Sequence, residues 1–172
     1  MKTTLKLVVA IAFFALCSNI SAQNIKLAHI NLEELIFAMP EYEEAMETLQ
    51  KIGQDFGKEI EELQVEINRK WDELQRTQDG LTDLVRQTRM EEIQRMSESL
   101  ELFQQRAQAS FNQEQERLMQ PIIEKANKAV EEVAKEQGIT YVISSAPQIL
   151  IFKAVGTIDL LSAVKQHMGI RD

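Results

Sequence analysis

The side chains that could carry chemistry near neutral pH are few and scattered. Two histidines, His29 and His167, lie far apart in the chain, one in a strand-like run and one near a predicted helix end. Neither has a nucleophile or a set of metal ligands spaced around it, so both read as core or surface histidines rather than as acid–base catalysts. Carboxylates occur as adjacent pairs, Glu61-Glu62 and Glu91-Glu92. Neighbours in sequence do not face one another on a helix, so these pairs read as solvated faces and not as a general acid and base. The single cysteine, Cys17, directly follows the first apolar run. No Gly-rich phosphate loop and no paired-cysteine motif is present. The reading is therefore not an enzyme, with no cofactor and no metal. What is abundant instead is an apolar stripe, and binding through such a stripe is the chemistry the chain offers.

Met1 to Ala22 reads as a secretory signal peptide, with Lys2 and Lys6 ahead of the apolar run Leu7 to Leu16 and a small residue, Ala22, at the cut. Ten apolar residues in a helix reach only ~15 Å, about half of a hydrocarbon core, so a membrane anchor is disfavoured. A lipoprotein site at Cys17 is disfavoured by the bulky Leu16 before it. Cleavage leaves 23 to 172, a chain without cysteine carrying 17 basic against 27 acidic residues, or −10. That balance argues against a nucleic-acid binder held by phosphate contacts. With 44% apolar, 27% charged and only 6% aromatic residues, the chain suits long helices that bury a narrow stripe. Nine Gly plus Pro in 172 residues exclude a collagen-like or loop-rich chain.

The elements follow from local signals. Ile25 to Ile30 predicts a strand. Asn31, with Glu34 three residues on, predicts a helix N-terminus. Pro40 predicts a break, with a short helix to Met39 and a long one beyond. From there Leu32, Met39, Met46, Ile60, Ile67, Leu74 and Leu81 share one heptad position, and Leu35, Tyr42, Leu49, Phe56, Leu63 and Leu84 the other. A stripe kept over seven heptads predicts a coiled-coil seam. Gly53, Lys70 and Thr77 interrupt it and are read as weak points that let the arms splay. A second run, Ile93, Met96, Leu100, Phe103 and Ala107, continues after a slip through Phe111, Leu118, Ile122, Ala129 and Val133. Pro121 lies inside it and predicts a kink, and Gly138 predicts its end.

The pattern weakens from Gln78 to Arg89, where a reversal would fold the arms antiparallel. The midpoint between the first strand and the strand-like run Ile139 to Ile143 falls near residue 85, which agrees. Ser144 to Pro147 predicts a tight turn into a third strand, Gln148 to Phe152. Thr157, as N-cap, opens a last helix ending near Met168. The fold class is α+β: a small oligomeric β-barrel body and a long antiparallel coiled-coil hairpin, or tentacle. The body comprises 23–39 and 138–172, and the tentacle 40–137. Three short strands and one helix cannot cover both sheet faces, so Ile25, Leu27, Tyr141, Ile143, Leu150 and Phe152 are expected to be shared between copies. A trimer is most natural if the sheets close into a barrel. Residues off or beside the seam, Phe56, Trp71, Met90, Met96, Phe103 and Phe111, are the candidate binding contacts.

The ordered set of these features resembles the Skp (OmpH) family of periplasmic chaperones. The residues that carry the resemblance are the signal peptide, Ile25 to Ile30, and Met39-Pro40-Glu41-Tyr42. They continue with Gln120-Pro121-Ile122-Ile123, Ala129 to Ala134, Gly138, Tyr141-Val142-Ile143 and the helix from Thr157 to Val164. The resemblance implies a periplasmic homotrimer whose tentacles surround a cavity. There unfolded outer-membrane proteins would be held without ATP, on the way to the outer membrane. One departure concerns charge, because the family is basic. Here residues 41–66 carry nine acids and two lysines, while 69–95 carry six of each. The acidic balance argues against direct lipid contact, Arg76, Arg86, Arg89 and Arg95 at the tip being the exception. The rival readings are an exported structural coiled coil, or spacer, without chaperone activity, and a surface adhesin.

Overall fold

The structure is a computed structural model that describes residues 25–146 and 149–170, together with all side chains in that range except Gln78. The predicted signal peptide and the Pro147 end of the predicted turn lie outside the described residues.

A short strand β1 (Leu27–Ile30) opens the chain. Asn31 then caps helix α1 (Leu32–Phe37), its side-chain oxygen accepting from the Glu34 amide while its Nδ2 donates back to the Glu34 carboxylate. One of the backbone amide donors left over at a helix start, that of Glu34, is thus met locally, and the side-chain pair holds the cap in place. Ala38 and Met39 break the helix, and Pro40 takes the first position of α2 (Pro40–Thr77), where its missing N–H costs nothing. A single 3-10 turn at Gln78–Gly80 reverses the chain. Thr82 caps α3 (Asp83–Glu136) by accepting from the Val85 amide. The reversal sits at the early end of the predicted window, and the arms are unequal, 38 and 54 residues. At ~1.5 Å per residue they measure about 57 and 81 Å, because α3 runs on past the root of the hairpin into the body. It continues through Pro121 as one helix.

Gly138 ends α3 in the left-handed region, φ +64. There the Ile139 amide reaches back to the Ala134 carbonyl at 2.9 Å and the Gly138 amide to Lys135 at 3.1 Å, closing both orphan carbonyls. A Cβ at this position would meet nothing closer than Lys26 Nζ at 4.0 Å, so only the backbone conformation objects to a side chain. Gly138→Ala is therefore expected to cost about 1–2 kcal/mol in urea unfolding.

Strand β2 (Tyr141–Ser144) then pairs in parallel with β1, Leu27 beside Tyr141 and His29 beside Ile143. The third strand is not the predicted one. Residues 149–152 form a turn and irregular backbone, in which the Ile149 and Leu150 amides both donate to Ala146. Strand β3 is instead Ile158–Asp159, parallel to β1 on its other edge. The order β2-β1-β3 leaves β1 with no free edge, so the 149–152 run has no edge of the central strand to pair with. Helix α4 (Leu161–His167) follows, and its start is held by the Asp159 carboxylate, which accepts from the Leu161 amide at 3.0 Å. Thr157 does not cap it. The Thr157 hydroxyl donates to the Ala154 carbonyl and pairs with His29 Nε2 at 3.1 Å.

In a parallel pair, neighbours share a face. Ala28, Ile30 and Val142 therefore point together into the core, which also takes Leu35, Met39, Ala45, Ile122, Ala126, Val133, Leu160 and Val164. Four elements meet there: the sheet, α1, the root of the hairpin and α4. A separate cluster lies far along the tentacle, with Ile67 and Leu74 on α2 against Ile93 and Leu100 on α3.

Candidate functional site

The two histidines are structural. His29 is 5% exposed, with Nδ1 buried and 3.7 Å from the Asp159 carboxylate. His167 Nε2 lies 3.1 Å from the Glu132 carboxylate and ties α4 to α3. Among the described residues no group of three or more His, Cys, Asp or Glu is placed to hold a metal ion.

Along the tentacle, each of the three interruptions in the seam is met by the opposite arm. Gly53 leaves room for the Phe111 ring, whose edge lies 3.7 Å from where a Cβ would stand. Lys70 reaches Glu92 at 2.7 Å, and its hydrogen bond holds the Glu92 carboxyl below its ordinary range. Thr77 Oγ1 accepts from Arg89, which also lies 3.6 Å from Glu73. The predicted weak points thus carry cross-arm contacts. Between the two buried clusters, where 50–59 contains no buried residue, Phe56 meets Phe103 edge-on, ring centres 6.3 Å apart.

At the root, Lys125 of α3 pairs with Glu41 of α2, and this hydrogen bond holds the Glu41 carboxyl below its usual range. A carboxyl depressed in the folded state stabilises above its unfolded pKa, and that contribution is lost as pH falls through the folded value. The pair is largely in water, so its worth is below about 1 kcal/mol. Glu41→Gln should lower the unfolding free energy by that much at pH 7, and in parallel urea titrations the loss should shrink as the pH falls below the ordinary glutamate range.

The candidate contacts fall into three groups. Trp71 and Met90, both well exposed, line one groove of about 640 Å³ towards the tip, with Arg86 and Gln94. Phe56 and Phe103 cover each other in mid-arm, and Met96 packs on the distal cluster. Phe111 lines a second groove of about 830 Å³ at the root. Its other walls were not singled out from sequence: Phe37, Tyr42 and Met46, with Glu43 and Glu47. Tyr42 and Met46 carry the seam period and read as packed, yet Met46 and Phe37 are exposed. The signal that could have found them is Phe37 placed one residue before the helix break, where no following turn covers it.

The body also exposes apolar surface. Leu27, Tyr141 and Ile143 lie on one face of the sheet, opposite the core, and all are exposed, as is Ile25. Of the loop after β2, Ile149, Phe152, Ile151 and Val155 stand out in solvent, the last two fully, while Leu150 is half-buried.

No described helix is long and apolar enough to cross a membrane. No curated protein matches the chain. A solved structure described as an OmpH-like outer membrane chaperone, from Caulobacter crescentus CB15, superposes with a TM-score of 0.72 at 10% identity. It covers 85% of this chain and 83% of its own, a likeness of fold. The family profile described as "Outer membrane protein (OmpH-like)" matches residues 26–168, from the residue before β1 to the residue after α4. The chain belongs to the OmpH-like family.

Proposed function

We propose that this protein is an ATP-independent periplasmic holdase that keeps unfolded outer-membrane proteins from aggregating. In this reading three copies join through their bodies, 23–39 with 138–172, and the 40–137 tentacles surround a cavity. Ile25, Leu27, Tyr141, Ile143, Leu150 and Phe152 supply the contacts between copies. The observation that carries the reading is apolar surface in two separate places. One lies on the sheet face and the loop after β2, suited to association between copies. The other lies in open grooves along the arms, suited to chains without fixed shape.

Client contacts are assigned to Trp71, Met90, Met96, Phe56, Phe103 and Phe111. Thioether and aromatic side chains adapt to varied partners, and many weak contacts hold a chain without a fitted pocket. A spacer has no use for exposed Trp71 and Met90. The test is light scattering from an outer-membrane porin diluted out of urea. The protein should suppress aggregation at about one trimer per porin without nucleotide, whereas a spacer would leave the scattering unchanged.

A further inference from the structure

The root groove pairs an apolar floor with two acids and has no lysine or arginine in its lining. Phe37 and Tyr42 lie with ring centres 5.0 Å apart, tilted at 44°, and Met46 continues this surface along α2. Glu43 and Glu47 stand one helical turn apart on the same groove. Neither has an ion-pair partner among the described residues, although Glu41 two residues away is taken by Lys125. The surrounding helix deepens the charge, since 41–66 carry nine acids against two lysines.

Resting on the holdase reading, we propose that this groove selects segments of the unfolded client in which a lysine or arginine adjoins an aromatic or aliphatic side chain. The stem of a long cationic side chain can lie on the Phe37–Tyr42–Met46 floor while its head reaches the Glu43 and Glu47 carboxylates. The aromatic faces attract the same cation, and the neighbouring apolar side chain fills the floor. Acidic segments are rejected by the same two carboxylates, so the preference has a repulsive as well as an attractive part. The tip groove sets Arg86 among Asp83 and Glu91, and Arg86 pairs with Asp83, so one carboxylate rather than two is left to act there and its bias is weaker.

The experiment measures fluorescence anisotropy of two labelled twelve-residue peptides with the full mature protein at low salt. The peptides are identical in apolar residues, one with lysines beside its aromatic residues and one with glutamates. The lysine peptide should bind at least about tenfold tighter, and the ratio should fall to about two or less in Glu43→Gln/Glu47→Gln. Glu61→Gln/Glu62→Gln removes the same charge from the same helix outside the groove and should keep the preference. Equal binding of the two peptides overturns the proposal, and so does a preference lost equally in both double variants, which would assign it to the net charge of the chain. The holdase reading is judged apart, by scattering from the urea-diluted porin: suppression without peptide preference sinks the groove alone.

Discussion

Replacing Leu27, Tyr141 and Ile143 together by Ser, Thr and Thr is expected to yield a chain that sediments as a single copy with its helical content unchanged. The three side chains stand on one sheet face by the register of the β1–β2 pair, and the core lies on the other face. Covering a fully exposed side chain of this size contributes about 1.5–3 kcal/mol, and these three, about half exposed, contribute roughly half of that each. With Ile149, Ile151, Phe152 and Val155 exposed in the loop after β2, seven side chains are available per copy. Their sum, roughly 8–17 kcal/mol, is comparable to the ~4–15 kcal/mol lost in association freedom. Removing three of the seven tips that balance. Because none of the three supports the core, circular dichroism should not change, which separates lost assembly from lost folding. A triple variant that still sediments as the parent would show that the sheet face is not the shared surface.

Leu35→Ala is expected to produce the largest loss of stability, about 2–5 kcal/mol. Leu35 has no exposed surface and sits where α1, α3, α4 and the sheet converge. A domain of this kind is stable by about 5–15 kcal/mol in all, so the change removes a third or more of it. The core has little means of filling the space, because Ala126 and Ala129 of the same cluster are small and belong to one continuous helix. Ile67→Ala, in the distal cluster, should instead loosen the tentacle and leave the body assembled. Urea unfolding followed by sedimentation distinguishes the two. A Leu35→Ala protein with an unchanged urea midpoint would contradict the convergence of the core on this residue.

Local signals made much of this legible. Asn31 with Glu34, Pro40, and Gly138 each act within one helical turn, and each marks the boundary it was expected to mark. The hairpin itself followed from a heptad stripe with one weak segment. What local pattern could not supply was pairing. Gln148 to Phe152 has the composition of a strand, yet the edges of β1 are taken by β2 and by Ile158–Asp159, a strand of two residues that no periodicity can show. Gly53, Lys70 and Thr77 look like defects until Phe111, Glu92 and Arg89 are seen opposite them. Thr157 resembles a cap because its use by His29, 128 positions earlier, leaves no trace in sequence. The binding surface was half visible for the same reason. Trp71 and Met90 stand beside the seam and are exposed, whereas Met46 keeps the seam period and is exposed nonetheless.

The most direct test is native mass spectrometry of the mature protein mixed with an outer-membrane porin diluted from urea, without nucleotide. The account predicts a complex of three copies with one porin chain. Free porin aggregate beside unliganded protein, or porin bound to a single copy, would contradict it.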